Sequence, residues 1–277
     1  MYLFADSGST KTTWSLVGSD KSVSSCTTRG MNPFHLGLDE MIYQLETEFS
    51  LPRTGIVEIW FYGAGCASPD KNSIVTEALS RYFGVSKIQV HSDLLLAARS
   101  LCGDRAGIAC ILGTGSNSCY YDGQKIVRNV SPLGYVLGDE GSGNDLGRKL
   151  LSNVLKNQLP EEICNLFFET YRTTVDEILE NVYRKPFPSR YLAQYANFIS
   201  ANIAYPEMQM LASASFREFF QRNVMQYGEA KRLPVHFTGG IAFHFSEIIT
   251  KTAAEFGLTV GKISCEPMEG YINSFQK

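Results

Sequence analysis

The 277-residue sequence has little of what marks several large classes of protein. No lysine or arginine cluster is longer than a pair and the formal net charge is −3, which argues against nucleic acid or an anionic membrane surface as the main partner. No apolar run approaches the roughly eighteen residues of a membrane span, and the first residues enter a strand-like run without a basic lead. We therefore expect a cytoplasmic protein whose partner is a small molecule.

Paired cysteines are also missing. The seven cysteines are scattered and include no Cys-x-x-Cys, so the sequence indicates neither a disulfide framework nor a zinc cluster. The four histidines are dispersed, and we expect most of them, like most cysteines, to be ordinary structural residues. Hydrophobic residues make up 44% and charged residues 19%, so a substantial core can form. This length predicts one large domain or, as we expect, two smaller ones.

The two halves of the chain share one order of predicted elements. In the first half, apolar runs predict strands at 2–5, 12–17 and 21–28, a helix from Leu38, a strand at 56–65, a helix near 70–83, a strand at 87–92 and a helix from Asp93. The order restarts at 106–131 with a strand, a Gly-rich turn and two more strands, and 234–240 corresponds to 56–65. The second half is longer, and helical spacing of its apolar residues predicts a helical insertion at about 142–230.

The first turn is a candidate phosphate site with a carboxylate beside it. Asp6 ends a strand, and a turn of small and basic residues follows, namely Gly8, Ser9, Thr10, Lys11 and Thr12. Backbone amides of such a turn can converge on phosphate oxygens, and the aspartate can hold Mg²⁺ that arrives with the phosphate. A Walker loop would need a glycine before the lysine and a helix after it, which the sequence lacks. A plain hairpin turn without a ligand stays open.

Two further glycine turns occur in the second half. Gly113, Thr114, Gly115 and Ser116 form another strand–turn–strand unit, so two hairpins could hold one polyphosphate from both sides. Gly239 and Gly240 end a strand before a helix, where a flat group such as adenine can approach the backbone closely. Taken alone, each turn also has a purely structural explanation, and it is their pairing across the two halves that indicates nucleotide binding.

The ordered motifs resemble those of a known superfamily. They are Asp-x-Gly-x-x-Lys-Thr at 6–12, an Asp opening a helix at 93, Gly-Thr-Gly-Ser at 113–116, Gly-Asp-Glu-Gly-Ser at 138–142 and Thr-Gly-Gly at 238–240. This set resembles the sugar-kinase, actin and heat-shock-chaperone superfamily of ATPases. More narrowly, GTGSN followed by GDEGSG resembles the N-acetylglucosamine kinase and BadF/BadG/BcrA/BcrD ATPase family, over nearly the whole chain.

The resemblance implies a fold and an activity. The fold is α/β, with two ribonuclease-H-like domains (the actin-like ATPase fold) around an inter-domain cleft. We expect the first domain at 1–105 with a C-terminal helix at 267–277, and the second at 106–262 with the helical insertion. The implied activity is transfer of the γ-phosphate of Mg²⁺-ATP to a hydroxyl of an amino sugar, with N-acetylglucosamine as the first choice, and we expect a homodimer.

The resemblance also implies residue roles. It assigns Asp6 to Mg²⁺, turns 8–12 and 113–116 to the phosphates, and Gly239 with Gly240 to adenosine. Asp93 becomes the catalytic base, although aspartate is also a favoured helix N-cap. The sugar ligands implied are Asn32, Asn117, Gly134 and Asp139. Amide and carboxylate groups suit adjacent hydroxyls, while Asn32-Pro33 is also a good turn starter and 138–143 could cap the next helix.

Departures from the family pattern keep alternatives open. Leu133-Gly134-Tyr135 stands where the family often has GGWG, Asn144-Asp145 replaces a usual aromatic, and Ser7 stands where a glycine is common, so another sugar is possible. The first alternative function is an ATPase activator with an inter-subunit iron–sulfur cluster, for which Cys102, Cys110 and Cys119 are suggestive in number. The second is a sugar or nucleotide sensor without turnover, against which Asp93 argues.

Overall fold

The chain folds into two compact units, each built on one five-stranded sheet. This computed structural model describes residues 1–8 and 10–275. The first unit comprises Met1–Ser100 with the C-terminal segment from Pro267, and the second comprises Leu101–Glu266. The observed division after Ser100 lies a few residues before the expected boundary at 105.

The elements alternate as in α/β proteins. The strands are β1 (Tyr2–Ser7), β2 (Lys11–Val17), β3 (Val23–Arg29), β4 (Glu58–Gly63), β5 (Ile88–Ser92), β6 (Gly107–Leu112), β7 (Ser116–Tyr121), β8 (Ile126–Val130), β9 (Val235–Thr238) and β10 (Val260–Ser264). The helices are α1 (Leu38–Glu48), α2 (Pro69–Phe83), α3 (Asp93–Cys102), α4 (Gly134–Leu137), α5 (Gly143–Leu155), α6 (Glu161–Tyr171), α7 (Val175–Tyr183), α8 (Pro188–Ala193), α9 (Ala196–Ala201), α10 (Pro206–Arg222), α11 (Gly240–His244), α12 (Ser246–Glu255) and α13 (Pro267–Phe275).

The first sheet has the order β3-β2-β1-β4-β5. A tight turn makes β1 and β2 antiparallel, whereas β4 and β5 run parallel to β1 because helices connect them. Strand alternation sends Leu3 and Ala5 into a core shared with α1 and α2, and sends Phe4 to the opposite face, where it packs with Met268 of α13. Both faces of the sheet are therefore covered by helices.

The second sheet repeats this arrangement, with the order β8-β7-β6-β9-β10. Here β6 is antiparallel to β7 and parallel to β9, as β1 is to β2 and β4. The predicted α/β class and the repeat of two ribonuclease-H-like domains are confirmed. Strand β10 and helix α12, which complete the second unit, were not specified by the sequence analysis.

The predicted helical insertion is also confirmed. Helices α4 to α10 and a 3₁₀ turn at Val224–Gln226 lie between β8 and β9. Their apolar faces form one core with the sheet, in which Leu146, Leu150 and Phe219 are almost fully buried. Truncation of such a residue to alanine typically costs about 2–5 kcal/mol, so the insertion is an integral part of the second unit. Among the described residues, no helix is both long and apolar enough to cross a membrane.

Candidate active site

Asp6 and Asp93 lie at one edge of the first sheet. The parallel strands β1, β4 and β5 end side by side, with Ser7 paired to Gly63 and Gly63 paired to Ser92. Ligands of open α/β sheets bind outside the carboxyl ends of their strands. Since Asp6 is one residue from the end of β1 and Asp93 directly follows β5, both predicted carboxylates are placed at such an edge.

The predicted phosphate turn of the first unit is a tight hairpin. The Gly8 amide donates to the Lys11 carbonyl at 2.9 Å, and the Gly30 amide donates to the Thr10 carbonyl at 3.0 Å. The Thr12 hydroxyl is buried and contacts the Ser7 hydroxyl at 2.8 Å. The Thr12 side chain therefore hydrogen-bonds within the sheet, between β1 and β2. The predicted phosphate ligand Ser9 lies outside the described residues.

Asp93 does not act as the N-cap of its helix. The capping bond comes from Ser92, whose hydroxyl accepts from the Leu95 amide at 3.3 Å. Asp93 accepts from the next amide, Leu94, at 2.8 Å. Burial raises the pKa of Asp93 to about 6, while the hydrogen bond from Leu94 opposes that rise. The carboxyl group thus binds a proton more readily than an ordinary exposed aspartate does.

Cys66 is a neighbour of Asp93 that sequence reasoning did not identify. Its thiol is buried, and its burial followed by the charge of Asp93 raises the pKa of Cys66 to about 12. A thiol that stays protonated adds no second negative charge beside the carboxylate. Because this electrostatic interaction joins residues far apart in sequence, no local motif could have revealed it.

Asn32 reaches the same end of the first sheet. Its side-chain oxygen accepts from the Phe34 amide at 2.9 Å, which is the turn geometry that Asn32-Pro33 predicts. The same oxygen lies 2.4 Å from where a Cβ would stand on Gly65, two residues beyond β4. The structure therefore brings Asn32 to the edge that carries Asp6 and Asp93.

In the second unit, the hairpin 113–116 is fastened to helix α5 and to Asp139. The amides of Gly143 and Asn144 donate to the carbonyls of Gly113 and Thr114 at 2.8 and 3.0 Å. The Ser116 amide donates to Oδ1 of Asp139 at 3.2 Å. Burial raises the pKa of Asp139, and hydrogen bonds from Asn144 and Ser116 oppose that rise.

The other two predicted sugar ligands of the second unit have different surroundings. Asn117 accepts through Oδ1 from its neighbour Ser118 and from the Asn129 amide on β8, both at 2.9 Å. Gly134 begins the exposed helix α4 with a φ of 75°. The structure joins Asp139 directly to the hairpin, whereas Asn117 bonds across the sheet to β8.

Gly239 and Gly240 play different parts at the end of β9. Gly239 has a φ of 110°, and a Cβ there would stand 2.4 Å from the Leu112 carbonyl oxygen, so only glycine fits. A Cβ on Gly240 would meet nothing within 4 Å. Gly239 therefore lets β9 and β6 end close together, and Gly240 leaves open space at the start of α11.

The three cysteines of the iron–sulfur alternative lie in the second unit. Cys102, Cys110 and Cys119 are buried, and burial raises the pKa of Cys102 to about 11 and that of Cys119 to about 12. Protonated thiols are poor metal ligands. Across residues 1–8 and 10–275, no group of three or more His, Cys, Asp or Glu could hold a metal ion. Mg²⁺ that arrives on nucleotide phosphates needs only one or two carboxylates, which Asp6 suits.

Asn144 is a further residue of this site that sequence reasoning did not assign. It follows the Gly-Asp-Glu-Gly-Ser-Gly motif and was notable only because an aromatic residue is usual there. In the structure it is 1% exposed, and its Nδ2 donates to Oδ2 of Asp139 at 2.9 Å. A polar residue directly after the motif was the one available signal.

Comparison with solved structures identifies the family. The chain shares 45% identity and a TM-score of 0.94 with a candidate N-acetylglucosamine kinase from Porphyromonas gingivalis, over 99% of this chain and 98% of that one. A candidate N-acetylglucosamine kinase from Chromobacterium violaceum matches at 18% identity and a TM-score of 0.73, over 98% and 97% of the chains. A ROK family glucokinase from Streptomyces griseus, solved with glucose and AMPPNP, matches at 13% identity and a TM-score of 0.57 over the same shares.

The similarities to the Chromobacterium violaceum and Streptomyces griseus structures, at 18% and 13% identity, show a shared fold alone. A scan of protein-family models and a search of curated proteins found no match. The likeness at 45% identity spans both units with the motifs described above. The chain belongs to the N-acetylglucosamine kinase and BadF/BadG/BcrA/BcrD ATPase family.

Proposed function

We propose that the chain is an ATP-dependent sugar kinase that phosphorylates a hydroxyl of an amino sugar, with N-acetylglucosamine as the first candidate. The observation that carries the proposal is Asp93, a desolvated carboxyl group at the carboxyl edge of the first sheet. The full-length likeness to a candidate N-acetylglucosamine kinase supports the substrate class.

Asp93 has the properties of a general base. Its pKa of about 6 leaves it ionised at neutral pH yet more basic than an ordinary aspartate. Since Ser92 caps α3, the carboxylate is not needed to start the helix. In the proposed step, the acceptor hydroxyl gives its proton to Asp93 and its oxygen bonds to the γ-phosphorus. The bond from the γ-phosphorus to the bridging oxygen breaks, and its electron pair leaves with ADP.

The nucleotide side of the site is proposed from both units. The hairpin of Gly8, Ser9, Thr10, Lys11 and Thr12 and the hairpin of Gly113, Thr114, Gly115 and Ser116 would supply phosphate contacts. The open space at Gly240 fits the approach of a flat adenine, while Gly239 shapes the backbone beside it. Asp6 would hold Mg²⁺, and this metal, when bound, would neutralise phosphate charge during transfer.

The acceptor side is proposed from Asn32, Asn117, Gly134 and Asp139. Asn32 is supported by its place beside the β4 end, in the unit that contains Asp93. Asp139 is supported by its buried carboxyl group, which can grip hydroxyls. A homodimer and a cytoplasmic location are also part of this proposal. Light scattering of the purified protein measures its mass in solution and so tests the homodimer.

A substrate screen tests the proposal. Purified protein is incubated with Mg²⁺-ATP and a panel of amino sugars, acetylated amino sugars and hexoses, and ADP release and sugar phosphate are both measured. We expect sugar-dependent turnover, highest for an amino sugar, in the wild type and its large loss in Asp93→Asn. ATP hydrolysis that no sugar stimulates, with no phosphorylated product, would show that the chain is not a sugar kinase.

A further inference from the structure

Asn144 occupies a buried polar junction behind the second hairpin. Its backbone amide donates to Thr114, and its Nδ2 donates both to Oδ2 of Asp139 at 2.9 Å and to the Ser189 hydroxyl at 3.1 Å. Ser189 belongs to α8 of the insertion. Helix α8 comes this close because Gly147 of α5 has no Cβ; one there would stand 1.8 Å from the Leu192 carbonyl oxygen.

Each carboxylate oxygen of Asp139 accepts one hydrogen bond from this junction. Oδ1 accepts from the Ser116 amide at 3.2 Å and Oδ2 accepts from Asn144. Two donors from different elements fix the plane of the carboxylate, and thereby fix the directions of its remaining lone pairs. The Asn144 amide cannot rotate by half a turn without placing its own oxygen against this carboxylate.

We propose that Asn144 is a positioning residue that fixes the carboxylate of Asp139 beside the hairpin Gly113–Ser116. The consequence for catalysis rests on the proposed kinase function, in which Asp139 grips the acceptor sugar. Oδ1 of Asn144 is buried and has no hydrogen-bond partner in the part of the chain that the structure describes. A buried acceptor without a partner destabilises the folded protein, and a purely structural role gives no reason to retain it.

The charges around Asp139 make the Asn144 donor important. Glu140 and Asp145 flank the carboxylate and raise its pKa further, after burial. Their own charges are paired: Arg222 of α10 contacts Glu140 at 2.8 Å, and Lys149 contacts Asp145 at 2.6 Å.

The remaining neighbours of Asp139 lower its pKa or balance the acidic pair. Arg148 also contacts Asp145 at 2.6 Å. The hydrogen bond from Asn144 is the largest influence that lowers the pKa of Asp139, ahead of the bond from Ser116. Removal of Asn144 should therefore raise this pKa.

An NMR titration tests the proposal without any kinase activity. The Ser116 amide donates directly to Asp139, so its resonance should follow the protonation of that carboxyl group. In Asn144→Ala we expect the titration midpoint to move up by roughly one pH unit, the size expected when a charge-assisted hydrogen bond is lost. In Asp139→Asn this titration should disappear, which assigns it.

Two further variants keep the result decisive. Asn153→Ala makes the same change on the same helix, where the side chain donates to the Lys149 carbonyl, and it should leave the midpoint unmoved. Asn144→Asp preserves the side-chain shape and replaces the amide donor by a second carboxyl group. The Ser116 titration midpoint should therefore rise still further in this variant. It serves as the test if Asn144→Ala does not fold. An unchanged Ser116 midpoint in Asn144→Ala or Asn144→Asp overturns the proposal, even if those variants are less stable.

Kinetics then separate this inference from the proposed function. Asn144→Ala should raise KM for the sugar by roughly tenfold while KM for ATP changes little, because the displaced carboxylate contacts the acceptor. A wild type with no sugar-dependent turnover would refute the kinase and leave the titration standing. Sugar-dependent turnover with equal changes in both KM values would refute the role of Asn144 in acceptor binding.

Discussion

Ser92 and Asp93, two adjacent residues at the start of α3, make different contacts with the helix. Ser92 accepts from the Leu95 amide, whereas the Asp93 carboxylate accepts from backbone amides alone, those of Leu94 and of Asp93 itself, among the contacts described. A carboxylate that is desolvated but weakly hydrogen-bonded keeps a high pKa. The chain therefore keeps a half-buried carboxylate with a raised pKa where a helix start alone would not need one.

The first prediction concerns Asp93→Asn. Asparagine has nearly the same size and can still accept from Leu94, so the fold should persist. Because the proton acceptor is lost, kcat should fall by about 10²- to 10⁴-fold. Its Tm at pH 7 should be no lower than that of the wild type, since the variant no longer buries a charge. Steady-state kinetics and thermal unfolding measure both effects. Asp70→Asn, an exposed aspartate in the first turn of α2, is the matched control and should behave as wild type.

The second prediction concerns pH. The base must be ionised, and burial raises the pKa of Asp93 to about 6. Turnover should therefore fall as pH falls through about 6, by about tenfold for each pH unit below it. An acid limb near pH 4 would mean that the base is an ordinary exposed carboxylate. The residual activity of Asp93→Asn should lack the limb near 6.

Sequence reasoning identified residue types at the site better than their partners. The position of Asp93 at the carboxyl end of β5 could be predicted because a strand, an aspartate and a helix follow one another locally. The hydrogen bonds between Thr12 and Ser7 and between Asn117 and Asn129 arise from strand register, which cannot be inferred from the sequence alone. The role proposed for Asn144 rests on a bond to Asp139 and on a contact with Ser189 that forms only when α8 packs on α5. The residue types at the site could be inferred from local sequence, whereas their burial and hydrogen-bond partners could not.

At the scale of elements, glycine turns at strand ends shape the predicted nucleotide site. Strands β1 and β6 each lead through such a turn into an antiparallel partner, and β9 ends in a glycine pair. The two glycines of that pair differ, because Gly239 is required by the backbone whereas Gly240 faces open space. This difference allows the fold and the ligand to be tested separately.

The third prediction compares two alanine substitutions. Gly239→Ala should destabilise the second unit by about 1–3 kcal/mol or more, because a Cβ would add backbone strain and clash with Leu112. Gly240→Ala should leave Tm nearly unchanged but raise KM for ATP, because its Cβ would occupy the proposed adenosine space. Thermal unfolding and ATP kinetics are measured on both. If Gly240→Ala binds ATP as wild type does, the adenosine contact lies elsewhere.

Most elements were predictable because their periodicities are clear. The strand at 2–5 extends to Ser7, the helix near 70–83 is α2, and the insertion is helical as expected. Strand β10, with the sequence VGKIS, was missed because it is short, contains a glycine and is partly exposed, so it lacks an apolar alternation. Its place beside β9 is set by the sheet, and the repeat of the first half was the one available signal.

At the scale of the whole molecule, the repeated sheet gives each unit a glycine hairpin at the same place in its strand order. Each unit carries the same strand order, and each presents its first hairpin between its first two strands. If both hairpins bind phosphate, as proposed, the repeat suits a nucleotide with several phosphates better than a cofactor of other chemistry. The iron–sulfur alternative has to be judged against this arrangement.

The fourth prediction concerns iron. Cys110 and Cys119 lie on the paired strands β6 and β7 and are fully buried, and burial raises the pKa of Cys110 well above its usual range. We therefore expect protein purified without oxygen to be colourless and to contain no stoichiometric iron, by absorbance and metal analysis. A brown preparation with about one cluster per dimer would instead favour the ATPase-activator function.

The last prediction uses ligand linkage to separate Asp6 from Asp93. A ligand that binds only the folded protein stabilises it by about 2.7 kcal/mol at a concentration of 100 times Kd, so saturating Mg²⁺-ATP should raise Tm by several degrees. Asp93→Asn should retain that shift, since it removes a proton acceptor and no phosphate contact. Asp6→Asn should lose most of it, because the metal would lose its carboxylate. Excess chelator with ATP gives the metal-free reference for each variant. The assignments would be reversed if Asp93→Asn abolished the Mg²⁺-dependent part of the shift and Asp6→Asn preserved it. Neither carboxylate would be the metal anchor if both variants kept it in full.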